Sequence, residues 1–372
     1  MSKWQKALAP LANDVETFFD RLKYSLEDRI GGFQPVRLVP LAAYTYPGGL
    51  YVKGRALHGR GPITSADNDS FWDDLVDLYR RMNSDEIPHA RLRIYAGDQM
   101  REVQCDEEGF FELNLARPDG QLPLTRLELE WLPPSDSIET NSPDKNGSPV
   151  PVSLLPYAAP ARFGVISDVD DTLLITHVQN LLGLARSLVS GRPEQRPRFP
   201  GAPALYRGLT RPGNPLFFVS SSPWNLHDLL DETFDYYDLP PRVTLLRDWG
   251  ITDQEILPTE NIDFKLGVLS QIIAGFPDLP FLLVGDSGQQ DPEIYARFIR
   301  ENPGRVGGVY IRDVSPDPRR DAAVQALQTC GVPLLLAPDS LSMARDAAAR
   351  GWLDAAALAE VEEDQRRFAS GG

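Results

Sequence analysis

Hydrophobic residues are laid out differently in the two halves of this chain. At the start, Trp4, Leu8, Leu11, Val15, Phe18, Leu22 and Leu26 recur at spacings of three and four. That is one face of a helix, so residues 1–30 are predicted to form an amphipathic helix. After Gly31-Gly32 the pattern shortens to strand-like pieces at Val36–Tyr46, Leu50–His58, Arg91–Tyr95, Glu102–Cys105, Phe110–Leu115 and Leu127–Leu132. Asp106-Glu107-Glu108-Gly109 is a turn signal between two of them. One helix is expected between Ser70 and Met82, where Phe71, Leu75, Leu78 and Tyr79 share a face. Short strands separated by turns predict a β-sandwich-like N-terminal module over 31–134. Residues 135–152, rich in Pro, Ser, Asp and Asn, read as a linker. From Phe163 onward apolar runs alternate with helical periodicity, which predicts an α/β domain with a parallel sheet over 153–372. Its strands are expected at Phe163–Ser167, Leu216–Val219, Val243–Leu246, Phe281–Val284, Val306–Ile311 and Pro333–Leu336, and its last helices at Leu341–Arg350 and Ala355–Phe368.

Charge and cysteine content narrow the partners. The formal net charge of −16 argues against nucleic acid and against a generally membrane-adherent surface. Cys105 and Cys330 are too few for a disulfide framework, and a reducing, cytoplasmic location is the simpler expectation. No apolar stretch reaches the ~20 residues of a membrane span. Asp14, Glu16 and Asp20 interrupt the N-terminal stretch, so no signal peptide is expected there. His58 and His89 have no metal-ligand spacing and read as surface residues.

The chemistry gathers at the ends of three apolar runs. Phe163-Gly164-Val165-Ile166-Ser167 ends in Asp168-Val169-Asp170-Asp171-Thr172. A β-branched run of this kind reads as a buried parallel strand, and ligands of open α/β sheets bind just beyond such strand ends. Asp168 and Asp170, two apart on extended backbone, are expected to share a side, with Asp171 turned away. Leu216-Phe217-Phe218-Val219 ends in Ser220-Ser221-Ser222. Phe281-Leu282-Leu283-Val284 ends in Gly285-Asp286-Ser287-Gly288, with Asp291 five residues beyond Asp286. Lys265 lies between the last two, at the start of a helix-like stretch. Singly, each residue has an ordinary reading: an Asp caps a helix, a serine makes a turn, a lysine is solvated. Their joint occurrence in this order is what favours a site.

This ordered set resembles the motifs of the haloacid dehalogenase (HAD) superfamily of phosphotransferases. The longer strings narrow the resemblance. Ile166-Ser167-Asp168-Val169-Asp170-Asp171-Thr172, Val219-Ser220-Ser221-Ser222-Pro223-Trp224, Leu283-Val284-Gly285-Asp286-Ser287-Gly288-Gln289-Gln290-Asp291 and Val309-Tyr310-Ile311-Arg312-Asp313-Val314 are similar to the catalytic domain of the actin-patch-type phosphatidate phosphatase family. The resemblance implies a HAD-like, Rossmann-type parallel sheet with a small cap over 153–372. It implies that Asp168 attacks phosphorus to give an aspartyl phosphate, while Asp170 protonates the leaving oxygen and then deprotonates water. Mg²⁺ is the implied cofactor, held by the Asp168 carboxylate, the Asp170 backbone carbonyl and Asp286, with Asp291 orienting metal-bound water. Ser220 would donate to a phosphoryl oxygen, Ser221 would join it in binding substrate, and Lys265 would place a positive charge beside phosphate. Thr172 would brace the loop. Ser222 and Trp224 would line the substrate pocket or pack. Dehalogenases have no leaving oxygen to protonate, so Asp170 argues against that chemistry, and the longer strings argue against a phosphomutase.

The segment Leu173–Arg211, where this superfamily inserts a cap, holds Arg186, Arg192, Arg196, Arg198, Arg207 and Arg211 against the single acid Glu194, a local charge of +5. With Leu181, Leu182, Leu184, Leu188 and Val189 beside them, these arginines fit an anionic lipid head group and a transient anionic membrane surface. They fit equally a cap packed on the core. The combined expectation is a Mg²⁺-dependent phosphatase of phosphatidate, cytoplasmic or peripheral to the membrane. A phosphatase of a soluble phosphomonoester and a non-catalytic lipid- or protein-binding adaptor are the alternatives.

Overall fold

A computed structural model of the 372-residue chain describes residues 36–58, 86–116, 124–133, 149–157, 160–175, 198–211, 213–248, 258–314 and 318–370. The expected helices at 1–30 and 70–82, most of the expected linker, and residues 176–197 of the arginine-rich insert lie outside them.

The N-terminal strands form two antiparallel sheets. β1 (Val36–Tyr46), β2 (Gly49–His58) and β5 (Phe110–Ala116) make one. β3 (Arg91–Ala96), β4 (Gln99–Gln104), β6 (Arg126–Leu132) and β7 (Val150–Ser153) make the other, in the order β4-β3-β6-β7. Alternation directs Val52, Phe111 and Leu115 from the first sheet, and Leu92, Ile94, Leu127 and Leu129 from the second, into one apolar cluster. β7 corrects one boundary. The stretch assigned to a linker ends in a strand whose residues pair with Arg126–Leu129.

The rest is an α/β layer. β8 (Gly164–Ser167), β9 (Leu216–Pro223), β10 (Val243–Arg247), β11 (Phe281–Asp286), β12 (Val306–Arg312) and β13 (Leu334–Ala337) form a six-stranded parallel sheet in the order β10-β9-β8-β11-β12-β13. Seven helices accompany it among the described residues: α1 (Ala202–Thr210), α2 (His227–Tyr236), α3 (Pro258–Gly275), α4 (Asp291–Glu301), α5 (Pro318–Gln328), α6 (Ser340–Ala349) and α7 (Ala355–Ser370). Helices cover both faces, which is why the central strands are apolar on both sides; Val165, Phe217, Phe218, Phe281 and Leu283 are fully buried. Neither cysteine is in a disulfide. Among the described residues no helix is long and apolar enough to cross a membrane.

The two parts share a core. Tyr44 of β1 packs edge-on against Phe217 and stacks on Phe276, with ring centroids 5.1 and 6.3 Å away. At the same seam Asp248, just past β10, faces Glu108 of the β3-to-β5 region. Burial, with the Glu108 carboxyl beside it, pushes Asp248 up to about 7 against the pull of Arg55 and Lys53. A carboxyl raised on folding contributes stability that is present below its ordinary value and lost as pH rises through the folded value. Asp248→Asn should therefore raise the melting temperature more at about pH 8 than at about pH 5, by on the order of 2–4 °C. Scanning calorimetry at both pH values checks this; equal shifts would refute it.

Candidate active site

Strand order places the site. The chain leaves β8 toward β9 on one side and leaves β11 toward β12 on the other. The connections part there and open a crevice at the carboxyl ends of β8 and β11. Asp168 lies one residue beyond β8, and its N–H is held by the Val284 carbonyl at 2.9 Å. Asp286 closes β11, and Asp291 opens α4. Gly285 allows their approach: a Cβ there would lie 2.5 Å from an Asp291 carboxylate oxygen.

Lys265 is the centre of the arrangement. Its Nζ donates to Asp168 Oδ1 and to Asp291 Oδ1, each at 2.7 Å, and all three side chains are buried. Lys265 sits well inside α3, which begins at Pro258 and not at the lysine. Burial opposes its charge, but Asp168 and Asp291 outweigh that and hold the ammonium protonated. Asp168, Asp286 and Asp291 offer oxygens within 4.8 Å of one another, the one such group among the described residues. Burial raises Asp168 well above the ordinary carboxylate range despite Lys265. Burial and the neighbouring Asp291 push Asp286 up to about 8. One ammonium thus faces three buried carboxylates, a charge imbalance that a cation would relieve.

The unpaired oxygens show where. Asp286 Oδ1 accepts from the Gly288 and Gln289 N–H groups at 2.7 and 2.8 Å. Asp286 Oδ2 and Asp168 Oδ2 are buried without a hydrogen-bond partner among the described residues. Asp291 has no oxygen to spare: Oδ2 accepts from the Asp286 N–H at 3.1 Å, and Oδ1 holds Lys265. Hard, oxygen-only donors with two orphaned carboxylate oxygens fit a hard divalent cation on Asp168 and Asp286, with Asp291 as the anchor of Lys265. The Asp170 carbonyl accepts from the side-chain amide of Gln289 at 3.1 Å, the residue whose backbone N–H holds Asp286 Oδ1.

Asp170 has its own holder. β9 runs on through the serine cluster to Pro223, so Ser220 and Ser222 share a side of the strand. Both hydroxyls donate to Asp170 Oδ2, at 2.8 and 3.0 Å. Oδ1 is left buried and has no partner among the described residues. Burial raises Asp170 above the ordinary range against these two donors. Ser221 turns the other way and donates to Asn261, which reaches Gln290 at 3.2 Å. Asp171 stands outside the oxygen cluster, but a turn and not strand alternation puts it there: its φ is 55°, in the left-handed region. The Thr172 carbonyl accepts from Arg312 Nε at 2.9 Å, so its backbone braces the loop, while its hydroxyl has no partner among the described residues.

Ser222 was expected to line the substrate pocket or pack, not to hold Asp170, and the sequence assigned Gln289 and Arg312 no role. Period-two spacing from Ser220 marks Ser222. A lone arginine ending an apolar strand marks Arg312, which is buried over the Phe199 ring at 4.0 Å. Nothing local marks Gln289. Of the insert's arginines, the described ones are engaged within the fold: Arg198 forms a fork on Asp364 with both bonds 2.8 Å, Arg207 donates to the Asp238 carbonyl, and Arg211 pairs with Glu360.

Residues 163–313 match the family described as the catalytic domain of phosphatidate phosphatase APP1. This segment is similar to that catalytic domain. The chain is 30% identical over 196 residues to phosphatidate phosphatase APP1 of Saccharomyces cerevisiae, an alignment covering 51% of this chain and 32% of that protein. It is 26% identical over 235 residues to an uncharacterized protein of Schizosaccharomyces pombe, covering 61% of this chain and 38% of the relative. The chain thus spans about a third of the length of these curated relatives. A carbohydrate acetylesterase from Xanthomonas citri overlaps 80% of this chain and 75% of its own at a TM-score of 0.26 and 11% identity, too little to bear on fold or chemistry. The APP1-type match encloses every site residue above, from Asp168 to Asp291.

Proposed function

We propose that this chain is a Mg²⁺-dependent phosphatase that hydrolyses phosphatidate to diacylglycerol and phosphate through an aspartyl phosphate on Asp168. The observation that carries the reading is the Lys265 clamp between Asp168 and Asp291, set beside orphaned oxygens of Asp168 and Asp286. The APP1-type match supports the substrate. The strand order supports a HAD-like, Rossmann-type domain over 153–372, with the insert 173–211 as its small cap and 31–134 as a β-sandwich-like module.

In the first step the Asp168 carboxylate forms a bond to phosphorus as the bond to the lipid oxygen breaks. Asp170 gives its proton to that departing oxygen from Oδ1, the atom left free by the serine pair. Lys265 holds the attacking carboxylate in place and sets positive charge beside the transferring group. In the second step water attacks phosphorus, Asp170 takes its proton, and Asp168 is released. Mg²⁺, held by Asp168, Asp286 and the Asp170 carbonyl, would neutralise the repulsion between these carboxylates and a phosphate dianion. Ser220 gives its one O–H to Asp170, so donation to a phosphoryl oxygen would require that hydroxyl to turn from the carboxylate when substrate binds.

One observation favours a second reading, a soluble phosphomonoester as substrate. Arg198, Arg207 and Arg211 are half of the basic insert, and each is tied to another part of the fold. A panel on purified protein separates the readings: phosphatidate in mixed micelles against water-soluble phosphomonoesters, with and without EDTA. Turnover of phosphatidate that is lost on chelation and restored by Mg²⁺ is expected. Turnover of soluble esters alone would favour the second reading. Full activity after exhaustive chelation would overturn the mechanism.

A further inference from the structure

We infer that Arg55 of the β module is a positioning residue for the serine segment that holds Asp170, so the β module is a working part of the site. This rests on the phosphatase reading above for its kinetic consequence, but its structural consequence stands apart. The Arg55 guanidinium is buried between two rings, Phe110 of its own module and Trp224 of the α/β part, each with its centroid 4.3 Å away. Arg55 Nε donates to the Glu108 carbonyl at 2.6 Å, and Nη2 to Glu86 at 2.8 Å. These bonds fix the plane of the guanidinium against which the indole lies. Trp224 comes two residues after Ser222, and Pro223 between them leaves little torsional slack. Leu41 and Phe110 complete the apolar seat of Trp224. A second tether follows at once, the His227 ring nitrogen 2.7 Å from the Leu41 carbonyl oxygen. Residues 220–227 are therefore gripped at one end by Asp170 and at the other by β1, β2 and β5.

Releasing Arg55 should let the serine pair drift from Asp170 Oδ2 and leave the proton-bearing carboxyl misaimed. Arg55→Met keeps the apolar stem and removes the planar cation; Arg55→Lys keeps a charge without the fork. In Arg55→Met, hydrogen exchange of the 220–227 segment should rise at least tenfold relative to wild type, while exchange across β11 stays unchanged. Turnover of an alkyl phosphate, whose leaving oxygen needs the Asp170 proton, should fall at least tenfold, about 1.4 kcal/mol of barrier. Turnover of an activated aryl phosphate should fall far less, with KM for both unchanged. Arg55→Lys should recover part of the loss. Should the Met variant fail to fold, Trp224→Phe carries the same expectations, since it shortens the same contact from the other side. Unchanged exchange at 220–227 would overturn the inference whatever the activity. Faster exchange with equal losses on both esters would reduce Arg55 to a stabiliser of the fold. Absence of phosphatase activity in the wild type, with faster exchange in the variant, would sink the phosphatase reading and leave the coupling intact.

Discussion

Asp168→Asn is expected to lose at least a hundredfold in turnover, about 2.7 kcal/mol or more of barrier. The amide cannot attack phosphorus usefully, so covalent phosphorylation should vanish with turnover. The fold should survive. Lys265 keeps its bond to Asp291, and the variant carries one buried carboxylate fewer in a cluster that has too many. Circular dichroism and thermal melting should therefore match wild type within a few degrees. Activity above about 1% of wild type, in protein free of deamidated contaminant, would remove Asp168 from the nucleophile's place.

Lys265→Met should damage both stability and activity. Among the described residues its ammonium is the one cation hydrogen-bonded to Asp168 and Asp291, and its removal leaves two buried carboxylates facing one another. Breaking a buried pair by removing one partner costs about 3–5 kcal/mol. Protonation of the carboxylates would offset part of that, so the loss in chelated protein should shrink as pH falls. Turnover should drop at least a hundredfold at any pH, because the charge beside the transferring group is gone. Denaturant titration with an activity assay checks both parts. Wild-type stability in chelated Lys265→Met would show that the lysine does not balance the cluster.

How much of this was legible before the fold is best seen residue by residue. The strand-end carboxylates were readable because burial on both faces writes a continuous apolar run, and a polar residue ending such a run stands out. β1 over Val36–Tyr46 was readable from its apolar content between turn signals, although its burial does not alternate: Leu38, Ala42 and Tyr44 are buried, and so are Leu41 and Thr45. The serine cluster was read as the residues beyond a strand, yet β9 continues to Pro223, since Ser220 and Ser222 satisfy their hydroxyls on Asp170. β7 was hidden because Val150-Pro151-Val152-Ser153 looks like linker, and only its pairing with β6 reveals it. The start of α3 was misplaced because its first turn, Pro258-Thr259-Glu260-Asn261, is polar and carries no apolar period. The pairing of Arg198 with Asp364 and the seat of Arg55 against Trp224 join residues far apart in sequence, and no local pattern records them. The basic insert fitted an anionic lipid surface and a cap packed on the core equally well, and its described arginines, Arg198, Arg207 and Arg211, are engaged within the fold.

The central claim is that phosphoryl passes through Asp168, and the most direct test is to catch it there. Wild-type protein mixed with Mg²⁺ and excess phosphomonoester, quenched in acid within the first turnovers and digested for mass spectrometry, should yield a peptide carrying one phosphoryl group on Asp168. The label should be absent in Asp168→Asn and after chelation, and should accumulate in Asp170→Asn with an activated ester, because water is no longer deprotonated for the second step. Steady hydrolysis with no covalent phosphoryl at Asp168 in either wild type or Asp170→Asn would contradict the mechanism.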